Sequence, residues 1–594
     1  MSADPLSIAL PSVGVFMDNS IAIFSQEARS AGISFVYNTT NLHVDERRFR
    51  TRSAWVEYSC TSAPLDWATS NTQGAIAYDP RVGSTPQLRP TGATGIVESA
   101  AGKLYRITPE IGTFKVEDIS DGYQGRAPMR LAWLVQAANY IIRTDGVSNT
   151  QIWDGLQTVT STGYNSNAPA SSRLPNFAGP VLYTDRIWIV NRGNELIAGD
   201  HIHRLNLTGN TDLLLTTDQS YDITSVSFPP PQEMGDIVSL NMVTSARGGG
   251  LASQAEIVAG TQGPGMWGVL AGTPRSQWAT TSMRRVVHES VGPTGPFAAW
   301  PGKDELLMRT AEGITSLKYV SQEGAQPGNP HVNLGQEIKP LLDRDPQDLL
   351  LFASMHVSAR QQRLACTVYP VTDGPNRWHR AYVTAALAPG RTRTPEAMVW
   401  EGVSTLPAAM GEIIQFVEVR DIGTKTRLFA LLRKADGTKG LAEWTNQWGD
   451  DVLADGTPVP IPWQILTRRL SRGGEYNPSS WGDAYLSLTG IRDKTSIEIY
   501  ARSNGKDPFK QVYSNTFTNA TWETSGYADA EPLTLGSIFR DFKSPWIQIL
   551  IKGTGSAVVD LAIGGLGSGK SGTAPPNTCL QGNLLCQYDP FMRA

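Results

Sequence analysis

Residues Gly564–Ser571 read GGLGSGKS, which matches the phosphate-binding pattern G-x-x-x-x-G-K-[ST]. Such a loop binds phosphate because its backbone N–H groups and the N-terminus of the following helix point at the anion. Here the next residues, Gly572–Pro576 (GTAPP), cannot continue a helix. Only 23 residues follow Ser571, too few for the rest of a nucleotide-binding α/β sheet. We therefore interpret the motif as an extended exit from a β-sandwich and expect no cofactor.

His201 and His203 form an H-x-H pair, which on a strand would place both imidazoles on one face. A zinc site of this kind needs a third and a fourth ligand. The other five histidines are scattered along the chain: His43, His288, His331, His356 and His379. We expect an ordinary loop at this pair and no metal site.

Catalytic carboxylates are the next possibility, because two of them about 5–10 Å apart can hydrolyse a glycosidic bond. The sequence does not show which aspartates and glutamates are paired. Thr144-Asp145-Gly146 is similar to the acidic turns of sialidase propellers but lacks the Thr-Trp spacing that follows in them. No G-x-S-x-G nucleophile motif occurs either. We expect Asp145 to be a turn residue, no catalytic residues and no enzyme activity.

A basic run, Arg47, Arg48, Arg50 and Arg52, is the strongest local charge feature. We expect it to be solvated or to form salt bridges at a subunit edge, with phosphate contact as the alternative. The chain as a whole has a net charge of −4, which argues against a general polyanion-binding surface.

Composition favours strands and turns over long helices. The 594 residues include 57 glycines, 38 prolines and 16 tryptophans. The four cysteines are too few for a secreted disulfide scaffold of this size, so reduced thiols are expected. A local bridge between Cys579 and Cys586 stays open. We expect neither a signal peptide nor a transmembrane helix.

The unit that would position these residues is the strand–turn–strand stretch Leu131–Gly155. Leu131–Val135, Tyr140–Arg143 and Gln151–Trp153 are predicted strands, and Asp145-Gly146 is a turn of the hairpin kind. Similar units recur around seven turn glycines spaced 44 to 70 residues apart: Gly102, Gly146, Gly193, Gly263, Gly313, Gly374 and Gly437.

This recurrence predicts an all-β fold with an irregular β-propeller of six or seven blades, because propeller blades repeat at about 40–50 residues with insertions in loops. Stacked β-sandwiches are the alternative. Tryptophans in or beside these strands are expected to pack between blades: Trp133, Trp153, Trp188, Trp267, Trp300, Trp378, Trp400 and Trp444.

Four domains follow from the composition shifts: an N-terminal arm and platform part (1–60), the propeller (61–450), a β-sandwich-like platform (451–565) and an extended tail (566–594). A short helix is predicted at Ser20–Ala31. The platform's clearest predicted strands are Tyr485–Ser487, Ser496–Ala501, Trp546–Lys552 and Ala557–Ile563. Thr489–Tyr500 is predicted to be a hairpin.

Three stretches, Tyr140–Gly155, Gly292–Val320 and Trp463–Ala501, resemble the nozzle (tail tubular protein B-like) proteins of short-tailed bacteriophages. The second reads as a blade with the pattern G-x-x-x-x-F … D-x-L-x-x-x-x-x-x-G-I-x-S-L. The resemblance implies a propeller fused to a platform built from the two chain ends. It implies no catalytic residues.

The same resemblance implies a virion location in the tail after synthesis in the host cytoplasm. Six copies would form a distal ring below an adaptor ring and beside tail fibres or spikes. Genomic DNA would pass through the lumen without sequence-specific binding, and an acidic lumen would repel its phosphates. The alternatives are a carbohydrate-active or carbohydrate-binding propeller, and a receptor-binding tail component without a channel.

Overall fold

A computed structural model of the chain is built almost entirely of β-strands, so the predicted all-β class is confirmed. No helix among the described residues has the length and apolar character needed to cross a membrane. The structure describes residues 8–9, 36–45, 48–80, 94–127, 131–137, 140–153, 155–160, 179–184, 187–191, 193–198, 227–231, 233–244, 255–263, 265–270, 284–288, 291–302, 306–317, 334–335, 338–368, 381–387, 398–420, 426–471, 479–481, 484–488, 495–503, 507–517, 533–536, 538–559 and 562–565.

Five strands precede the repeating part of the chain, and all except β3, which pairs with its neighbour β4, pair with strands that are distant in sequence. They are β1 (Ile8–Ala9), β2 (Val36–Thr40), β3 (Leu42–Asp45), β4 (Arg48–Thr51) and β5 (Trp55–Glu57). The helix predicted at Ser20–Ala31 lies outside the described residues.

Seven sheets follow, which we call ring sheets 1 to 7. Ring sheet 1 contains β6 (Ser59–Ser62), β7 (Thr72–Tyr78), β8 (Gly95–Ala100), β9 (Lys103–Pro109) and β10 (Thr113–Asp118), and helix α1 (Leu65–Thr69) precedes β7. Ring sheet 2 contains β11 (Trp133–Ala137), β12 (Tyr140–Thr144), β13 (Gln151–Trp153) and β14 (Thr158–Thr160).

The next three ring sheets are antiparallel throughout. Ring sheet 3 contains β15 (Val181–Tyr183), β16 (Ile187–Val190) and β17 (Leu196–Ala198). Ring sheet 4 contains β18 (Ile237–Thr244), β19 (Ala255–Thr261), β20 (Gly265–Leu270) and β21 (Arg284–His288). Ring sheet 5 contains β22 (Ala299–Pro301), β23 (Leu306–Thr310) and β24 (Gly313–Ser316).

A short helical segment, α2 (Lys339–Leu342) and the 3₁₀ helix Gln347–Phe352, leads to the last two ring sheets. Ring sheet 6 begins with β25 (Met355–Ser358), β26 (Arg363–Val368), β27 (Ala381–Leu387) and β28 (Met398–Thr405). Ring sheet 7 contains β29 (Glu412–Arg420), β30 (Thr426–Arg433), β31 (Lys439–Trp444), β32 (Asp451–Val452) and β33 (Pro458–Val459), with β5 between β31 and β32.

The predicted turn glycines mark these sheets. Gly102, Gly146, Gly193, Gly263 and Gly437 each lie between two paired strands, and Gly313 begins β24. Gly374 lies outside the described residues. Glycine is required at residue 102, where φ is +86° and an added Cβ would lie 2.2 Å from the Gly125 carbonyl oxygen.

One edge strand of each ring sheet contacts that of the next sheet in chain order, from β7 through β11, β15, β18, β22 and β25 to β29, and β29 contacts β7. We call these seven the first strands of the ring sheets. Each sheet therefore has a neighbour on both sides. A seven-bladed propeller is the interpretation that this order of contacts supports.

The platform contains β34 (Pro462–Thr467), β35 (Leu470–Ser471), β36 (Ser479–Ser480), β37 (Ala484–Leu488), β38 (Ser496–Arg502), β39 (Lys510–Thr516), β40 (Leu533–Gly536), β41 (Lys543–Ser544), β42 (Trp546–Thr554), β43 (Val558–Val559) and β44 (Ala562–Gly565). N-terminal strands complete its sheets, because β1 pairs with β44, β2 with β34, and β4 with β43. The platform is therefore built from both ends of the chain, as expected.

Ring sheet 6 continues directly into the platform. Its last strand, β28, pairs in parallel with β2, and β34, β42, β38 and β39 follow in the same sheet. One large apolar core, which includes Leu364, Trp400, Ile465 and Ile549, lies under both parts. The ring and the platform therefore share a sheet and a core.

Two expectations need correction or comment. The hairpin predicted at Thr489–Tyr500 is wrong, because β38 pairs with β39 on one side and with β42 on the other, which leaves no edge for a preceding strand. The predicted domain boundary at residues 60 and 61 falls inside β6. The strands β5 and β32 lie just outside the residue range predicted for the propeller (61–450), yet both belong to ring sheet 7.

Candidate functional site: the axial cavity and the charged joints

The first strands of all seven ring sheets line one cavity of about 390 Å³. Its wall is mostly apolar and includes Trp133, Leu240, Phe297 and Phe416. A volume of about 300–1,000 Å³ is typical of small-molecule pockets. The cavity therefore has the size of a small-molecule pocket.

Two glutamines in this wall are hydrogen-bonded to the backbone of the neighbouring sheet. The Gln136 side chain accepts from the Asp79 N–H at 2.9 Å and donates to the Asp79 carbonyl at 2.6 Å. Gln415 makes the same two-point contact with Ala75, at 3.0 and 2.7 Å. These amides replace part of a strand ladder between first strands, so their main role is to join ring sheets 7, 1 and 2.

His356 and Glu418 are the ionisable pair of the cavity wall, with 3.2 Å between Nε2 and Oε2. Burial raises the pKa of Glu418, but the contact with His356 and hydrogen bonds from the Ala359 N–H and Thr426 together outweigh burial, and the net shift is downward. The Ser354 hydroxyl in the same wall accepts from the Phe416 N–H at 3.0 Å. The arrangement braces β25 against β29 and presents no hydroxyl nucleophile hydrogen-bonded to a base.

A buried ion pair lies at the joint between ring sheets 7 and 1. Lys439 Nζ is 2.7 Å from Glu98 Oε1, and both side chains are 1% or less exposed. The Trp67 indole N–H donates to Glu98 at 2.6 Å, and the Lys439 ammonium lies 4.6 Å from the Trp67 ring centroid. Burial lowers the pKa of Lys439, and the Glu98 charge only partly opposes that shift.

Arg143 plays the same part between ring sheets 1 and 2. Its fully buried guanidinium donates to Ser99 at 3.0 Å and to Gln73 at 3.1 Å, both in ring sheet 1, and to Asp145 at 3.1 Å. Asp145 also accepts from the N–H groups of Val147 and Ser148, at 3.0 and 2.7 Å. The prediction that Asp145 is a turn residue is confirmed.

Two further buried arginines occupy later joints. Arg309 of ring sheet 5 donates to Asp345, in the segment that leads to ring sheet 6, at 3.0 Å. Arg52 donates to Asp451 at 2.7 Å and to the Thr405 carbonyl at 2.8 Å, and it is 1% exposed. For Arg52, the expectation of a solvated or inter-subunit edge is wrong, because its charge is paired inside the chain.

The other arginines of the basic run do not settle whether their charges are solvated or paired. Arg50 is half-buried and lies 5.9 Å from the Trp448 ring centroid. The side chain of Arg48 and all of Arg47 lie outside the described part.

His43 marks the joint between the platform and the ring. It is fully buried, its ring lies edge-on to Trp444 with centroids 5.7 Å apart, and its Nε2 is 4.0 Å from Glu401. Among the described residues neither ring nitrogen has a hydrogen-bond partner. Burial, with Arg363, Arg50 and Arg52 nearby, lowers the pKa of His43 well below its usual value.

The P-loop-like motif does not form a phosphate cradle in its first residues. Gly564 and Gly565 lie in β44 and pair with Tyr485 and Ala484, while residues 566–571 lie outside the described part. His201 and His203 also lie outside it. In the described ranges, no group of three or more His, Cys, Asp or Glu side chains is placed to hold a metal.

Two of the four cysteines lie among the described residues. Cys60 is exposed and Cys366 is buried, and both are free thiols; Cys579 and Cys586 lie outside the described residues.

Packing between ring sheets is confirmed for Trp153, which contacts Tyr78, and for Trp188 and Trp267, which share one core. Trp133 packs against the core shared by ring sheets 2 and 3 and also lines the axial cavity, and Trp378 is outside the described part.

Sequence reasoning missed the charged joints. A signal was present in two repeats: YIIRTDG at Tyr140–Gly146 and LLMRTAEG at Leu306–Gly313 both end a buried strand with Arg-Thr before a glycine. An arginine closing an otherwise apolar strand is typical of a buried, paired charge.

No protein-family model and no curated protein matches the chain. Solved structures with weak similarity include Raptor from Chaetomium thermophilum, with 8% identity, a TM-score of 0.33, and coverage of 64% of this chain and 29% of that one. A carbohydrate-active enzyme of family AA12 from Trichoderma reesei has 11% identity, a TM-score of 0.28, and coverage of 68% and 100%. TmCBM61, solved with β-1,4-galactotriose, has 7% identity, a TM-score of 0.12, and coverage of 24% and 73%. These likenesses are too weak to carry an argument about function.

Proposed function

We propose that the chain is a structural virion protein of a short phage tail, in which six copies form the distal nozzle ring. The observation that carries the proposal is the platform built from both chain ends and continuous with ring sheet 6. This is the architecture that the resemblance to nozzle proteins implies. A two-part subunit joined by a shared sheet and a shared core suits an assembly component that must hold its neighbours in register.

The ejection channel lies between copies in this proposal. The axial cavity of one copy has the volume of a small-molecule site, about 390 Å³. DNA therefore passes through a lumen that the six subunits surround, without sequence-specific contacts. The net charge of −4 per chain favours sliding over adhesion where acidic side chains face that lumen.

The proposed partners are the adaptor ring above the nozzle and the tail fibres or spikes beside it. The proposed role is mechanical and gating, with no catalytic step. The two cavity-wall glutamines and the His356–Glu418 pair are occupied with joining strands, which supports a structural role for the axis.

Negative-stain electron microscopy combined with native mass spectrometry of the purified full chain tests this proposal. We expect six-fold rings with a central pore and a mass of six chains. Salt titration of the rings serves as the control for non-specific association, because screened surface contacts weaken with ionic strength. Monomers at all concentrations, or trimers that cleave glycans, would contradict the proposal.

A further inference from the structure

A second cavity, of about 380 Å³, lies on the outer face of the platform where the platform meets ring sheet 6. Its wall includes Thr40, Gln464, Ser496, Glu498, Lys552 and Thr554. We call it the platform groove. Alternate residues of the same strands, such as Ile465, Ile497 and Ile551, are fully buried on the other face. The groove therefore belongs to the face of the sheet turned away from the core.

The strand register places the polar side chains of the groove in rows. Thr40 pairs with Gln464, Gln464 with Lys552, and Lys552 with Glu498. These four residues form one continuous row across β2, β34, β42 and β38. Directly paired side chains on one face of a sheet lie about 4.5–5.5 Å apart at Cβ, so the row presents closely spaced hydrogen-bonding groups.

Hydroxyl groups and apolar side chains flank this row. On one side Thr554 pairs with Ser496. On the other side Leu466 pairs with Leu550, and Leu550 with Tyr500, and all three of these side chains are half-buried. The surface thus alternates a polar row with an apolar row.

The central groups of the polar row have unused hydrogen-bonding capacity. Within the residues that the structure describes, the Gln464 amide and the Lys552 ammonium make no hydrogen bond, although Lys552 Nζ lies 5.2 Å from the Tyr500 ring centroid. Glu498 accepts one hydrogen bond, from the Tyr500 hydroxyl at 2.7 Å. An amide, an ammonium and a carboxylate offer both donors and acceptors to a ligand.

The charge of the groove selects the class of ligand. Lys552 and Glu498 are directly paired and opposite in sign, so the groove has no net charge with which to attract phosphate, sulfate or a nucleic-acid backbone. Sugar rings have hydroxyl edges that donate and accept hydrogen bonds, and C–H faces that pack on apolar side chains. The two kinds of row match these two parts of a sugar.

We propose that the platform groove binds a neutral oligosaccharide, with Gln464, Lys552 and Glu498 contacting its hydroxyl groups. Leu466 and Leu550, which lie beside the groove on the same face of the sheet, would contact a ring face. The proposal does not depend on the nozzle function, since it concerns a surface of a single chain. In a tail protein, the ligand class would be a neutral glycan of the host surface.

Titration calorimetry of the full chain with maltopentaose, cellopentaose, laminaripentaose and mannopentaose tests this proposal, with galacturonic acid pentamer and inorganic phosphate as charged probes. We expect saturable binding of at least one neutral pentasaccharide. The substitutions Q464A and K552M each remove hydrogen bonds to the ligand, and each should raise Kd about tenfold.

The matched control is K510M on strand β39, where Lys510 is exposed and lies outside the groove. It should leave Kd unchanged, and thermal unfolding of all variants separates a folding defect from a binding defect. The proposal is overturned by no binding of any neutral probe at millimolar concentration, by binding of the charged probes alone, or by affinity that both Q464A and K552M leave intact. None of these outcomes bears on whether the chain forms six-fold rings.

Discussion

The joint between ring sheets 7 and 1 and the joint between ring sheets 3 and 4 are built by different means. The first contains the buried Lys439–Glu98 pair beside Trp67. The second has an apolar core that contains Trp188, Ile257 and Trp267. At its rim the Asn194 amide donates to the Gly235 carbonyl at 3.0 Å and accepts from the Ile237 N–H at 2.8 Å. The first joint therefore adds a buried ion pair to its packing, whereas the described residues of the second combine apolar packing with neutral hydrogen bonds.

The difference follows the distance along the chain. Glu98 and Lys439 are separated by 341 positions, and their joint must bring the first and last ring sheets together. Ring sheets 3 and 4 are consecutive, so their closure needs less specification. A buried ion pair adds little net stability compared with apolar residues, but it penalises wrong neighbours strongly. Charge is not confined to this joint, because Arg143 and Arg309 are buried and paired between consecutive ring sheets. We infer that at the joint of the first and last ring sheets the Lys439–Glu98 pair penalises a wrong neighbour.

Breaking the charged joint should have the largest effect. K439M leaves the buried Glu98 carboxylate without its counter-charge, which should lower the free energy of unfolding by about 3–5 kcal/mol. Urea unfolding measures this loss, and hydrogen exchange of β31 and β8 shows whether it is local. A loss below about 1 kcal/mol would contradict the proposed role of the pair.

The double variant E98L/K439M is the control for that result. It removes both charges, so it should recover much of the stability lost in K439M. If charge supplies specificity, the double variant should refold with more misassembled species than the wild type does. Refolding yield from urea, followed by size-exclusion chromatography, measures this difference.

Acid should weaken the charged platform joint and leave the apolar joint unaffected. His43 has a pKa well below its usual value in the folded protein, so below about pH 6.5 the unfolded chain binds a proton that the folded chain excludes. The free energy of unfolding should therefore decrease as the pH is lowered below about 6.5, by at most about 1.4 kcal/mol per pH unit from this residue.

The variant H43F isolates this contribution, since phenylalanine keeps the edge-on contact with Trp444 without a titrating group. Unfolding free energies of H43F and the wild type between pH 7 and pH 5 should diverge as the pH falls. Parallel profiles would show that His43 titrates in the folded protein as it does in the unfolded chain.

A small cavity in the apolar joint should have a moderate effect. I257V removes one buried methyl group from a fully buried side chain and should cost about 0.5–1.5 kcal/mol. The loss should not depend on pH or salt, in contrast to the charged joints. Urea unfolding at two ionic strengths measures both properties.

An exposed pair sets the lower limit of the comparison. Lys115 and Glu117 are 3.3 Å apart, with 43% and 47% of their side chains exposed. K115A should change the unfolding free energy by less than about 0.5 kcal/mol, because exposed pairs are screened by water and salt. A larger change in urea unfolding would mean that exposure is a poor guide to the worth of these charges.

The all-β class and six of the seven glycine-marked units could be predicted because turns and strand periodicity are local properties; the seventh glycine, Gly374, lies outside the described residues. The pairing of strands could not, as Thr489–Tyr500 shows. Its alternating pattern correctly indicates a half-buried face for β38 but gives no information about which strand lies beside it. The prediction for Arg52 was wrong for a related reason. Its partner, Asp451, is 399 positions away, and an arginine in a basic run is most often exposed.

The seam between β28 and β2 has a mechanical consequence. It consists of the parallel pairing of Thr40 with Val403 and the adjacent 2.8 Å hydrogen bond from the Asn41 N–H to the Val403 carbonyl. A flexible linker between two domains extends under force before it transmits that force. At this seam the two parts are joined by strand pairing with no linker between β28 and β2. A force on the platform should therefore be transmitted directly to ring sheet 6 as shear along the strands.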